Sequence, residues 1–177
     1  MRGRRYVKSI TSAIRYPENN SESPHHAIAF PHYYEINHEA FVEDIVYELI
    51  ENLRQRNLAY KVYHIWNRDD LRAVYENENA VILWLVCHGR RYGIKTGDTL
   101  LRYSELEALN VKSKDGIYQL HCNPGADKSL IEINNPRKGK ELCLMKGIIN
   151  LNTPINVRNF IREYFITLDS SSGDNKE

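Results

Sequence analysis

Ala80-Val81-Ile82-Leu83-Trp84-Leu85-Val86-Cys87 runs straight into His88-Gly89, and the architecture follows from what this run forms. Eight successive apolar residues without alternation describe a strand covered on both faces, as in the middle of a parallel sheet. Eight residues are short for a buried helix, and a strand that stops at a polar dipeptide fits better. In open α/β sheets the chemistry lies just beyond the carboxyl ends of such strands. Here that place is taken by a histidine and then a glycine.

Working outward toward the amino terminus, Tyr60 to Trp66 is rich in β-branched and aromatic residues and reads as a strand. Asn67 can cap a short helix between the two, with Leu71, Val74 and Tyr75 on one face. Phe41, Val42, Ile45, Val46, Leu49, Ile50 and Leu53 fall at helical spacing, which predicts a helix from Glu39 to Arg54 with Asn37 as its cap. Ala27-Ile28-Ala29-Phe30 starts a further short strand, which Pro31 should limit. Strand and helix alternating at this pace imply right-handed crossovers and a parallel sheet.

Toward the carboxyl terminus, Thr96-Gly97-Asp98 reads as a hairpin turn between Arg91 to Lys95 and Thr99 to Arg102. Ser104-Glu105-Leu106-Glu107 reads as a capping box opening a helix. Ile117-Tyr118-Gln119-Leu120-His121-Cys122 is a second buried strand, stopped by Asn123-Pro124-Gly125. Glu141 to Met145 and Ile148 to Leu151 are two more strand candidates. Thr153 and Pro154 start a last helix that turns Val157, Phe160, Ile161, Tyr164, Phe165 and Leu168 inward. The organisation is one domain over 27–168, with an arm and polar loop at 1–26 and a disordered tail at 169–177.

The chain has 177 residues, 42% hydrophobic and 27% charged, with a net charge of +1. That is an ordinary globular balance, and it points to neither nucleic acid nor a membrane as direct partner. The basic cluster Arg2, Arg4, Arg5 and Lys8 reads as a solvated arm. No apolar run approaches the ~18 residues of a membrane span. Three cysteines, Cys87, Cys122 and Cys143, form no disulfide framework, so a reducing, cytoplasmic setting is expected.

Two core strands thus end in His88-Gly89 and in Cys122. As neighbours in a sheet, their ends would lie about 4.8 Å apart. A thiol needs a proton acceptor nearby, because the thiolate is the nucleophile, and an imidazole can hold or relay that proton. Gly89, without a side chain, can leave its N–H facing a developing oxyanion, with the N–H of Cys122 as second donor.

The layout as a whole resembles the caspase-like cysteine peptidases and is most similar to their CHAT group. The matching residues are Cys87-His88-Gly89, Gly97-Asp98-Thr99-Leu100, Ser104-Glu105-Leu106-Glu107-Ala108-Leu109, and Gln119-Leu120-His121-Cys122-Asn123-Pro124-Gly125. The resemblance reaches from about Ala27 to Leu168, with its specific motifs in the middle third. It implies a three-layer α/β/α sandwich with a mostly parallel central sheet, and endopeptidase activity through a His–Cys dyad. His88 would be the base and Cys122 the nucleophile, with Gly89 and Cys122 supplying the oxyanion-hole amides. It further implies a protein substrate, a regulatory protein partner in trans, and neither cofactor nor metal; a role in bacterial defence rests on the same analogy. The family usually has a small residue before the cysteine and Thr-Gly soon after it, where this chain has His121 and Asn123-Pro124-Gly125. Those departures motivate the alternative, a catalytically impaired module acting in protein–protein interaction or regulation.

Other readings rank lower. A zinc site of Cys87, His88, His121 and Cys122 pairs adjacent residues, which point to opposite faces of a strand, whereas paired ligands usually stand two or more residues apart. No glycine-rich phosphate loop follows the first strand, against a nucleotide-binding domain. His25, His26 and His32 are expected to be exposed beside a loop. Cys143, Trp66 and Trp84 are expected in the core, and Arg137-Lys138-Gly139-Lys140 as a solvated loop.

Overall fold

The computed structural model describes residues 23–31, 36–90, 92–96, 99–120, 129–136 and 154–173. Within them, β1 (His25–Pro31), α1 (Ile36–Gln55), β2 (Tyr60–Ile65), α2 (Arg68–Glu76) and β3 (Ala80–Leu85) alternate as the sequence implies. Three short strands follow, β4 (His88–Arg90), β5 (Gly93–Thr96) and β6 (Thr99–Arg102). The remaining elements are α3 (Tyr103–Ala108), β7 (Gly116–Gln119), α4 (Leu130–Asn134) and α5 (Pro154–Gly173). β2-β1-β3-β7 form a central sheet in which every pairing is parallel. β4-β5-β6 form a separate antiparallel meander. The protein is therefore α/β, with a parallel central sheet.

Strand register sorts the side chains onto two faces, because partners across a parallel pair point the same way. Val62, Ile28, Trp84 and Tyr118 form one cross-strand row. Trp84 is fully buried, stacked on Tyr118 at 4.2 Å between ring centroids and met edge-on by Tyr164 at 5.0 Å, with Phe165 at 6.1 Å. Aromatic contacts of this kind add about 0.5–1.5 kcal/mol each to the area they bury. α5 thus covers this face, and α1 packs on α5 through Arg158–Asp44, Arg162–Glu48 and Arg56–Asp169 ion pairs. Ala29, Leu85 and Gln119 belong to the opposite row. There α2 brings Leu71 against Ala29 and Leu85, while α3 and α4 reach Gln119 through Tyr103 and Leu130. Helices flank both faces of the sheet.

The helical readings hold where packing and caps agree. Asn67 caps α2 by accepting from the N–H groups of Asp69 and Asp70, and the Asp70 carboxylate answers the Asn67 N–H. Leu71, Val74 and Tyr75 are its buried residues. In α5, Val157, Ile161 and Phe165 are fully buried, with Phe160, Tyr164 and Leu168 packed beside them.

Several expectations need correcting. α1 begins at Ile36, so Asn37 lies inside the helix and does not cap it. α3 is entered two residues earlier than the Ser104 box implies: Arg102 is the cap residue, and its N–H donates to Glu105. α5 continues to Gly173, into the stretch read as tail. His25 and His26 are buried, 1% and 7% exposed, because β1 is a central strand that begins with them. His25 Nδ1 meets the Ser23 carbonyl at 2.8 Å and Nε2 meets the Tyr63 hydroxyl at 3.0 Å, while the Trp84 indole N–H donates to His26 Nδ1 at 3.1 Å. Trp66 is 54% exposed just past β2, leaning on His64. His32, Cys143, Arg137 to Lys140, the amino-terminal basic cluster and the strand candidates at Glu141 to Leu151 lie outside the described residues.

Candidate functional site

The two strands singled out by the sequence are neighbours. β3 and β7 run parallel in register from Ile82↔Gly116 to Leu85↔Gln119. One residue further, the Leu120 N–H donates to the Leu85 carbonyl at 2.8 Å, and on the other side the Val86 N–H donates to Ala29 at 2.9 Å. Both carboxyl tips therefore end side by side on one rim.

Past Val86 the chain leaves the central sheet. His88 and Gly89 open β4, opposite Lys95 and Ile94 of β5. The meander is held on the rim by its buried face, Ile94, Thr96 and Leu101. Gly93 is needed where β5 crosses β6, since a Cβ there would lie 2.4 Å from the Leu101 carbonyl oxygen. Thr96 and Thr99 join the strand ends, their hydroxyls 3.0 Å apart. Under the meander, Ala29, Ile65, Leu71, Leu85, Cys87 and Ile94 help line a void of about 10 Å³, room for no more than about one water.

A buried polar chain roots this rim. The Gln119 Nε2 donates to the Tyr103 hydroxyl at 3.4 Å, and its Oε1 accepts the Leu130 N–H at 2.9 Å. Burial pushes the Tyr103 phenol far above its usual range, and the charge of a Cys87 thiolate nearby adds to the rise. A glutamine among Ile117, Tyr118 and Leu120 was the available signal for this contact, and reading the strand as simply apolar passes over it.

The amino-terminal end of the sheet carries a second polar network. Lys114, only 3% exposed, donates to the Asn77 carbonyl at 2.7 Å. The Asn77 amide donates to the Tyr63 hydroxyl at 3.4 Å, and that hydroxyl also meets His25. Burial lowers the Lys114 ammonium to about 8, with Glu78 opposing. Burial also lowers the His25 imidazole, helped by the charges of Lys61 and Lys114 and resisted by the Ser23 carbonyl. A larger concavity, about 610 Å³ between α1 and α5, is lined by charged groups paired with one another, such as Arg158–Asp44 and Arg162–Glu48.

Of the predicted site residues, the structure gives the backbone of His88 in β4 and of Gly89 beside it. The His88 side chain, His121 and Cys122 lie outside the described residues, as does Asn123-Pro124-Gly125, and of the four zinc candidates only Cys87 is described with its side chain. Among the described residues no group of three or more His, Cys, Asp or Glu could hold a metal ion, and no helix is long and apolar enough to cross a membrane. Comparison with protein-family models, curated proteins and solved structures finds no match for this chain.

Proposed function

We propose that this chain is a cysteine endopeptidase with the caspase-like arrangement of an α/β/α sandwich, acting on a protein substrate through His88 and Cys122. The observation that supports it is the pairing of β3 with β7. His88 follows Leu85 by three residues, and Cys122 follows Gln119 by three, so the two segments start from partnered positions on one rim.

In this reading the Cys122 thiol gives its proton to the His88 imidazole, and the sulfur attacks the scissile carbonyl carbon. The N–H groups of Gly89 and Cys122 hold the resulting oxyanion. Collapse breaks the C–N bond, and His88 returns the proton to the departing amine. Water then attacks the thioester, giving up a proton to His88, and the carboxyl product leaves as the thiol is restored. No metal or cofactor enters. The substrate lies extended along the rim, a protein partner in trans controls the reaction, and the cytoplasm is the expected setting.

Peptide libraries, with and without candidate partners, test the proposal by mass spectrometry of the products. Cleavage at a preferred residue, abolished in Cys122→Ala and His88→Ala, is expected. Pro124, which removes a backbone donor beside the nucleophile, favours the second reading, an interaction module. Specific partner binding without cleavage, unchanged by both substitutions, would establish that reading instead.

A further inference from the structure

Gln119 is 1% exposed and Tyr103 is 5% exposed, yet both are polar. A buried amide is costly unless its bonds are made, and an apolar side chain of the same shape fills a sheet face without that demand. Gln119 instead uses both ends of its amide to join β7 to α3 and to α4.

The residues so joined bracket Cys122. The amino-terminal root of that segment is fixed to β3 by the Leu120–Leu85 bond. Its carboxyl-terminal root is Ser129, whose hydroxyl accepts the Glu132 N–H at 3.1 Å and so caps α4. The far end of α4 is tied to the sheet by Asn134, which accepts the Lys114 N–H at 2.7 Å. The near end is tied by Gln119, through Leu130. Tyr103, the second partner of Gln119, donates its own N–H to the Tyr92 carbonyl at 3.0 Å, in the turn after β4, the strand that His88 opens.

We infer that Gln119, with Tyr103, is a positioning residue that fixes the root of the Cys122 segment relative to the root of the His88 segment. Its catalytic consequence rests on the peptidase reading; its structural consequence does not.

Three variants test this. Gln119→Met removes both bonds at similar volume, Gln119→Glu keeps an acceptor for the Leu130 N–H, and Tyr103→Phe removes a single bond. Hydrogen exchange at Leu120 and in α4 is measured together with the rates at which a peptidyl acyloxymethyl ketone and iodoacetamide modify Cys122. In Gln119→Met, exchange quickens at Leu120 and in α4 while β1 and β3 keep their protection. The peptidyl rate falls by about ten- to a hundredfold, because misplacement of reacting groups by about 1 Å carries that penalty. Iodoacetamide, which requires no positioning, reacts as before, and Gln119→Glu recovers most of the peptidyl rate.

Unchanged exchange at Leu120 and in α4 overturns the inference, and so does a peptidyl rate that falls only in step with iodoacetamide. A wild-type protein that ignores the peptidyl probe ends the peptidase reading, while the exchange comparison still decides whether Gln119 holds the segment. If Gln119→Met does not fold, Tyr103→Phe carries the same comparisons with a smaller expected effect.

Discussion

Replacing Lys114 by methionine should flatten the dependence of stability on alkaline pH. Lys114 is 3% exposed, and its ammonium rests on the Asn77 carbonyl at 2.7 Å. Burial lowers its pKa from 10.5 to about 8, against the pull of Glu78. His25 belongs to the same network, and the charge of Lys61 acts on it as well. Between about 8 and 10.5 the unfolded chain keeps this proton and the folded chain has released it. Stability rises with pH wherever the unfolded state binds more protons, so wild type gains stability across that window. Each pH unit is worth about 1.4 kcal/mol, and the whole window about 3 kcal/mol. Below pH 8 the buried charge remains, at that cost.

Methionine keeps the apolar stem and removes the charge. The Asn77 carbonyl keeps a partner, the Ala80 N–H at 3.1 Å, so no buried acceptor is stranded. Lys114→Met should then be at least as stable as wild type at pH 7 and lose that advantage by pH 10.5. Urea unfolding, followed by the fluorescence of buried Trp84 and exposed Trp66, supplies both curves. Other titrating groups cancel in the difference between the proteins. Two curves that run parallel from pH 8 to 10.5 would refute the reasoning.

Three further outcomes are expected. Trp84→Phe should cost about 2–4 kcal/mol in denaturant unfolding, because it loses ring area and leaves His26 Nδ1 without its indole donor. Gly93→Ala should cost about 1–3 kcal/mol, since the new Cβ meets backbone rather than a movable side chain, and exchange should quicken first in β5 and β6. His25 has a folded pKa below its ordinary 6.5, so the unfolded chain binds more protons as pH falls through that value, and wild type should lose stability between pH 7 and 5. His25→Gln, which cannot titrate, should lose less over the same interval.

Much of the central sheet could be read directly because its strands carry their own signal. The apolar run of β3 and the β-branched residues of β2 need no partner to be recognised, and α2 announces itself by Asn67 and a three-residue apolar face. Features that depend on distant residues were hidden. His25-His26 follows Ser23-Pro24 and looks like a loop; its partners, half-buried Tyr63 and buried Trp84, lie 38 and 58 residues away. Lys114 looks like an exposed lysine until Asn77 is placed over it, 37 residues earlier in the chain. α4 did leave a local mark, Ser129-x-x-Glu132, a capping box followed by too short an apolar run to stand out. For the candidate site, the sequence supplies a histidine and a cysteine beyond two strand ends. It does not supply strand order, and the pairing of β3 with β7 turns two separate tips into one rim.

The proposed dyad is tested most directly by the rate of Cys122 alkylation measured from pH 5 to 10 in wild type and in His88→Ala, with Cys122→Ala as the blank. An imidazole beside the thiol should bring the wild-type midpoint below the ordinary value of about 8.5, and removing the imidazole should return it there. Superimposable profiles for wild type and His88→Ala would mean that the two groups do not share a cleft, and would contradict the proposed dyad.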